Sequence, residues 1–566
     1  MRRKIKNFLL GTCLLVNYYS ASQDISQIGK PKAVKFYGSV GVGGWVYNHS
    51  GSDLEKRGVP FSWYLNGSPT LQLYSFTFPF SFTVSEQQRD FSQPFNQYGV
   101  SPYYKWFTAH IGYRNMMFSQ YTMTGQTFLG GGIEINPGIL RFGAMYGRFR
   151  KAVSFDTSHS DYSLPNLFPT YKRMGAAAKI GIGRKANFFD LILFKGWDDE
   201  HSLSLPDSII GSTPGENICL GLKMNFNPFK NCIIDIDAGA SALTIDKRRT
   251  DSESDLQSQI PQFINNLIVV NYGTHLYFGG QAGVSYSFKK FRIRGQYKYV
   301  EPDFETYGSN YIQGDLQDIT LSPSVSFAKG KLNLSTTIGR RNDNLFGYKK
   351  GTTTRTLLNA NINATVSKNF GFGLQYGNFG TSQQNGRVLL NDSVRVSTIN
   401  QNMGGNVRFQ SIKSNTTKML LCMVNLSVMD DRNEVTKGFT QSNVIVSSIN
   451  YSFNNSKKKY GYSFSVMGSK VISRNNSVLS FGPNIGLNVT NKKQNLKLNL
   501  STGIQFRNSN NKSDGTIANL SGDLSYSINK KNTLTSGVNI IKNTGSNISS
   551  YSFNEQRLTV RYMYSF

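Results

Sequence analysis

Beyond its N-terminus the 566-residue chain has no apolar run approaching the ~18 residues of a membrane-crossing helix. It also lacks any block of five or six like charges, which excludes a basic tail for nucleic acid despite a net charge of +29. Apolar residues make up 39%, too few for a row of soluble domains each with its own core. Of four cysteines, Cys13 lies in the N-terminal apolar run, and Cys219, Cys232 and Cys422 are an odd number with no disulfide framework. Alternation places Cys219 on a polar face and the other two on apolar faces, so all three read as small fillers. The five histidines are scattered, with no HExxH spacing and no GxSxG elsewhere. Trp197-Asp-Asp-Glu-His201 gathers three carboxylates and an imidazole; consecutive residues rarely converge on one ion, and the stretch reads as a solvated acidic loop. No catalytic residue, metal ligand or cofactor is assigned.

What is present begins with Arg2, Arg3, Lys4 and Lys6, then the apolar stretch Phe8 to Val16, then Ser20-Ala21-Ser22 before Gln23. This is the pattern of a cleaved secretory signal peptide, 1–22. Its removal takes four positive charges and leaves 29 − 4 = +25.

Period-two alternation runs through the rest. Tyr460, Tyr462, Phe464 and Val466 share one face, opposite Gly461, Ser463 and Ser465. Leu496, Leu498, Leu500, Ile504 and Phe506 oppose Lys497, Asn499, Ser501, Gln505 and Arg507. Such strands suit a wall between lipid and a wet interior. Short Lys/Asn/Gly connections at 136–138, 183–185, 228–230, 289–290, 329–331, 367–369, 412–414, 456–459, 491–493 and 529–531 alternate with longer loops. Ten such turns plus the connection 85–101 make eleven crossings on one rim, hence 2 × 11 + 2 = 24 strands. The expected fold is all-β: a single antiparallel up-and-down transmembrane barrel of about 24 strands, with a range of about 22–26. In the last strand Leu558, Val560, Tyr562, Tyr564 and Phe566 form one row. A terminal aromatic there resembles the signal read by the barrel-assembly machinery of outer membranes.

The mature chain resembles the large outer-membrane barrel proteins of Bacteroidota. The phrases that carry this are Phe76-Thr-Phe-Pro-Phe80, 91–102, Phe142 to Arg150, Tyr299 to Phe304 and Gly314 to Thr320. The resemblance implies fold and a Gram-negative outer-membrane location and supplies no catalytic residues. Relatives with TonB-driven transport carry an N-terminal plug; here Gln23 to Lys32 alone precede the first strand-like segment. The expected organisation is therefore 1–22 signal peptide, 23–32 short periplasmic segment and 33–566 barrel, with no separate plug domain.

Alternation points Arg141, Lys179, Lys223, Arg292, Arg294, Lys298, Lys497 and Arg561 inward, with Glu134, Asp190, Asp235 and Asp237 facing them. A basic excess in a lumen favours anions; alternatively the groups pair and brace an occluded barrel. Segment 85–101 is long for a turn and carries Phe91, Phe95 and Tyr98, so it is expected to fold against the inner wall as a constriction. The function these features suggest is a porin-like channel or the barrel of a transport or secretion assembly. A non-conducting barrel that binds ligands or partners at its surface stands beside it, and an enzyme third. The expected partners are outer-membrane lipid and lipopolysaccharide, the assembly machinery during insertion and unidentified proteins.

Overall fold

The computed structural model describes residues 34–51, 58–86, 95–154, 169–184, 186–203, 213–251, 262–385, 395–545 and 552–566. The signal peptide, segment 23–32 and Phe91 lie outside them.

β-Branched and aromatic residues at alternate positions favour extended backbone, and here they build one sheet of 29 hydrogen-bonded strands. Three pairs of these are interrupted single strands: Val34–Tyr37 with Ser39–Gly51, Phe61–Gly67 with Thr70–Leu73, and Gln97–Val100 with Tyr103–Tyr104. The barrel thus has 29 − 3 = 26 strands. It closes where Ser39–Gly51 pairs antiparallel with Phe553–Ser565, from Ser39 opposite Ser565 to Gly51 opposite Phe553. Closure leaves no sheet edge, the condition for strands to cross hydrocarbon. Among the described residues no helix is long and apolar enough to cross a membrane.

The count differs from 24 for two local reasons. Two hairpins escape the Lys/Asn/Gly pattern: Leu73 pairs with Phe76 across Tyr74-Ser75, and Tyr104 with Phe107 across Lys105-Trp106. Tyr74 and Lys105 take positive φ there, of 52° and 47°, a conformation usually announced by Gly or Asn. The connection after Ser85 lies on the opposite rim, since it joins Phe76–Ser85 to Gln97–Val100 at the far end from the Tyr74 turn. Eleven crossings less one plus two gives twelve, and 2 × 12 + 2 = 26. The opposite rim carries the long loops, but two of its hairpins close over two residues, Arg474-Asn475 and Asn510-Asn511.

The outer face is apolar, with Ile180, Leu191, Phe278, Val284, Ile485 and Leu524 all exposed. Near the rim holding the chain ends, aromatic pairs form a belt: Phe370 with Phe409 and Phe453 with Tyr462, each at 5.0 Å, and Phe229 with Tyr286 at 6.2 Å. An apolar band edged by aromatics is the exterior of a membrane-spanning barrel. Leu558, Val560, Tyr562 and Tyr564 stand in this exterior row. Phe566 stacks on Phe36 at 4.3 Å and its backbone N–H donates to the Gly38 carbonyl at 3.1 Å.

Candidate functional site: a lumen narrowed by two inward loops

Two loops of the long-loop rim turn back into the barrel. The first, residues 116–126 between Phe107–Asn115 and Thr127–Ile135, is rich in residues that a solvated loop would not keep. Met116, Phe118, Tyr121 and Met123 are buried. Wall glycines make room for it: a Cβ on Gly221 would lie 2.4 Å from Thr122 Cγ2, and one on Gly239 2.8 Å from the Tyr121 carbonyl. Polar wall groups then hold the loop. Asp237 accepts from the Ser119 hydroxyl and, at 3.3 Å, from the Gln120 N–H. Lys223 donates to the Phe118 carbonyl at 3.4 Å, and the Lys179 ammonium lies 5.2 Å from the Phe118 ring centre.

The second loop, residues 301–315 between Phe291–Val300 and Leu316–Phe327, packs against the first. Met123–Thr124 and Gly308–Ser309 form a short parallel pair, and Thr306 Oγ1 donates to the Thr122 carbonyl at 2.7 Å. Phe304 meets Tyr121 edge-on at 6.0 Å. On the wall side the Tyr307 N–H donates to Asn217 Oδ1 at 3.1 Å, and Ser241 Oγ donates to the Glu305 carbonyl at 2.6 Å. Burial pushes the Tyr307 hydroxyl up to about 12. Cys219 lies fully buried under this contact, its thiol 3.2 Å from Asn217 Oδ1.

The register brings several of the alternation-assigned residues together. Asp190, Lys223 and Asp237 occupy adjacent positions on three neighbouring strands. Arg141 reaches Asp190 through two hydrogen bonds of 2.6 and 2.9 Å, and Lys179 is buried beside them. Glu134 stands opposite Gly143, between Arg141 and Met145 on the neighbouring strand. Arg294 forks onto Asp235 at 2.6 and 2.9 Å. Lys298 pairs in register with Asp318, and Arg292 with Ser324. Lys497 and Arg561 lie apart from this group, on strands beyond it, opposite Ser525 and Thr535.

Segment 85–101 does not provide the constriction at its strand end. Tyr98 is in the wall on the outer face, 59% exposed, with its ring edge-on to Tyr113 at 5.7 Å. Phe95, just before that strand, is also exposed. The reason is parity: the register Gly99 opposite Gly112 puts glycine inward and both neighbours outward.

A scan of protein-family models finds no match. No characterised protein matches the chain by sequence. Solved structures resemble it at low similarity. The copper transporter OprC is 7% identical over 95% of this chain and 81% of its own, with a TM-score of 0.41. The FrpB iron transporter from Neisseria meningitidis is 9% identical over 95% and 83%, with a TM-score of 0.37. Pseudomonas aeruginosa OpdK with vanillate is 12% identical over 62% and 93%, with a TM-score of 0.30. The fold stands on the strand pairing described above.

Several residues of the site carry little sequence signal. Asp198, in the stretch read as a solvated acidic loop, is instead buried. The strand Asn187–Asp199 continues through it, and Arg173 binds it with two bonds of 2.8 Å. Only Asp199, Glu200 and His201 stay near solvent, and no group of three metal-ligating side chains occurs among the described residues. Arg341, which forks onto Asp318, sits at the end of a strand where alternation alone is ambiguous. Phe118, Tyr121 and Tyr307 had one legible sign, aromatic side chains inside loops.

The other side of the lumen differs. Inward Asn361, Asn363, Asn402, Asn406, Asn499 and Gln505 are exposed, whereas Phe194, Asn217 and Cys219, inward on the loop-filled side, are fully buried. Among the described residues the loops therefore fill one half, and a face lined largely by amides remains wet.

Proposed function

We propose that this protein is an outer-membrane channel for small hydrophilic solutes, exported by a cleaved signal peptide and inserted by the barrel-assembly machinery into a lipopolysaccharide-bearing membrane. The observation that carries the reading is the divided lumen. Two loops anchored to the wall by buried hydrogen bonds narrow it, and the facing half presents exposed amides to water. A barrel this wide would leak if it were empty, and inward loops reduce its bore without a separate plug. Exposed inward charges of the wet half include Arg408, Lys497 and Arg557 with Asp523 among them, which biases the pore toward anions.

The test is conductance of the purified full chain in planar bilayers. A steady open current with a reversal potential favouring anions is expected. Correctly folded, heat-modifiable protein that conducts nothing would overturn the channel and favour a scaffold that binds at its surface.

A further inference from the structure

The two loops 301–315 and 343–350 enclose a cavity of about 580 Å³ on the long-loop rim. Its floor is the inward loop, and loop 343–350 is its flank. Asp315 ties the two together: it accepts from the Leu345 N–H at 2.9 Å and pairs with Lys349. Asn344 holds the flank in shape, accepting from the Lys349 N–H at 2.9 Å and donating to Thr352 Oγ1 at 2.9 Å. The cavity is thus preformed rather than a gap between mobile loops.

Three aromatic rings border it without being buried. Tyr311 is 81% exposed, Tyr348 74% and Phe346 46%. Phe346 and Tyr348 meet edge-on at 5.9 Å, which leaves ring faces open. Phe304 in the same loop is by contrast buried and packs edge-on against Tyr121. Aromatic rings held open at the rim of a cavity offer apolar faces to a ligand. Beneath them are acceptors and donors together: Asp303 and Glu305 are exposed carboxylates, with Asn310 and Lys349 beside them. Lys349 pairs with Asp315, which leaves Asp303 and Glu305 as exposed carboxylates that can accept from ligand hydroxyls. That excess of carboxylate disfavours an anionic ligand. A volume of this size suits a small organic ligand.

We infer that this cavity binds a neutral oligosaccharide at the mouth of the barrel. Sugar rings present apolar C–H faces to aromatics and hydroxyls that both donate to carboxylates and accept from amides and ammonium groups. The site does not depend on conduction, so its failure and that of the channel are separate results.

The experiment is binding of the full chain in detergent to an array of neutral hexose oligosaccharides, followed by titration of the best binder. The wild type is expected to bind at least one of them. Tyr348→Ala and Tyr311→Ala should each weaken binding about tenfold, and Asp303→Asn should also weaken it. Tyr272→Ala, another exposed loop aromatic, should bind as the wild type does. All variants must retain heat-modifiable migration. Absence of any bound neutral oligosaccharide would overturn the inference, as would equal binding by a Tyr311→Ala/Tyr348→Ala double variant. Tetraethylammonium saturating the site while sugars do not would overturn it in favour of an organic cation.

Discussion

The Arg173 guanidinium carbon sits 3.3 Å from the centre of the Tyr307 ring while the same group binds Asp198 through two hydrogen bonds of 2.8 Å. One wall arginine, fixed by a buried carboxylate, therefore carries the inward loop on its face. Fixing the cation first makes the stacking cheap, because little side-chain freedom remains to be lost when the ring docks.

Tyr307→Ala should release that loop. Truncating a buried aromatic costs about 3–5 kcal/mol. Cys219 lies beneath it and reports the change. With Cys232 and Cys422 replaced by Ala, the wild-type thiol should resist a small maleimide and the variant's should react. Tyr307→Phe, which keeps the ring, should stay protected. A Tyr307→Ala variant that labels no faster than wild type would show that the loop is held elsewhere.

Asp237→Ala should loosen loop 116–126. It removes the acceptor of the Ser119 hydroxyl and the Gln120 N–H, and leaving buried donors unsatisfied costs about 1–3 kcal/mol each. Hydrogen exchange across 116–126 should accelerate, and bilayer conductance should rise or become noisy. Unchanged exchange there is the outcome that counts against the anchor.

The two faces should respond oppositely to charge. Phe464 is exposed on the outer face, and Arg in its place costs about 2–4 kcal/mol near the bilayer midplane and less toward an interface. Leu498→Arg should behave alike. Ser463→Arg and Asn499→Arg face the lumen and should be tolerated. Equal losses of folded protein in both sets, measured by heat-modifiable migration, would mean the register is wrong.

Deleting Phe566, or changing Tyr562, Tyr564 and Phe566 to Ser, should sharply lower membrane-inserted protein. Phe566 clasps Phe36 across the seam and Tyr564 at 5.7 Å extends the aromatic belt. Normal membrane levels of the triple variant, judged by fractionation, would remove the terminal row from any role in assembly.

Strand by strand, much of the barrel was legible beforehand. Rows such as Leu558, Val560, Tyr562 and Tyr564 read outward from parity alone, and the Lys/Asn/Gly turns fall at or between the ends of paired strands. The turns at Tyr74 and Lys105 were invisible because a positive φ on those residues is set by the hairpin around them, not by their own preference. Phe95 and Tyr98 were expected on the inner wall and are exposed instead for a related reason. Aromatic content marks a loop as packed, but not which surface it packs on.

Alternation by itself determined the two-faced wall, because a strand's side chains can point only two ways. Tertiary structure alone decided which inward charges meet. Asp190 and Arg141 are 49 residues apart in sequence and 2.6 Å apart in space, through register across three strands. It alone decided that loops 116–126 and 301–315 fill one half of the lumen and leave the other wet. Loop docking depends on the shape of the wall, on where Gly221 and Gly239 open space opposite Thr122 and Tyr121, and no local pattern encodes a shape that exists only once the barrel has closed.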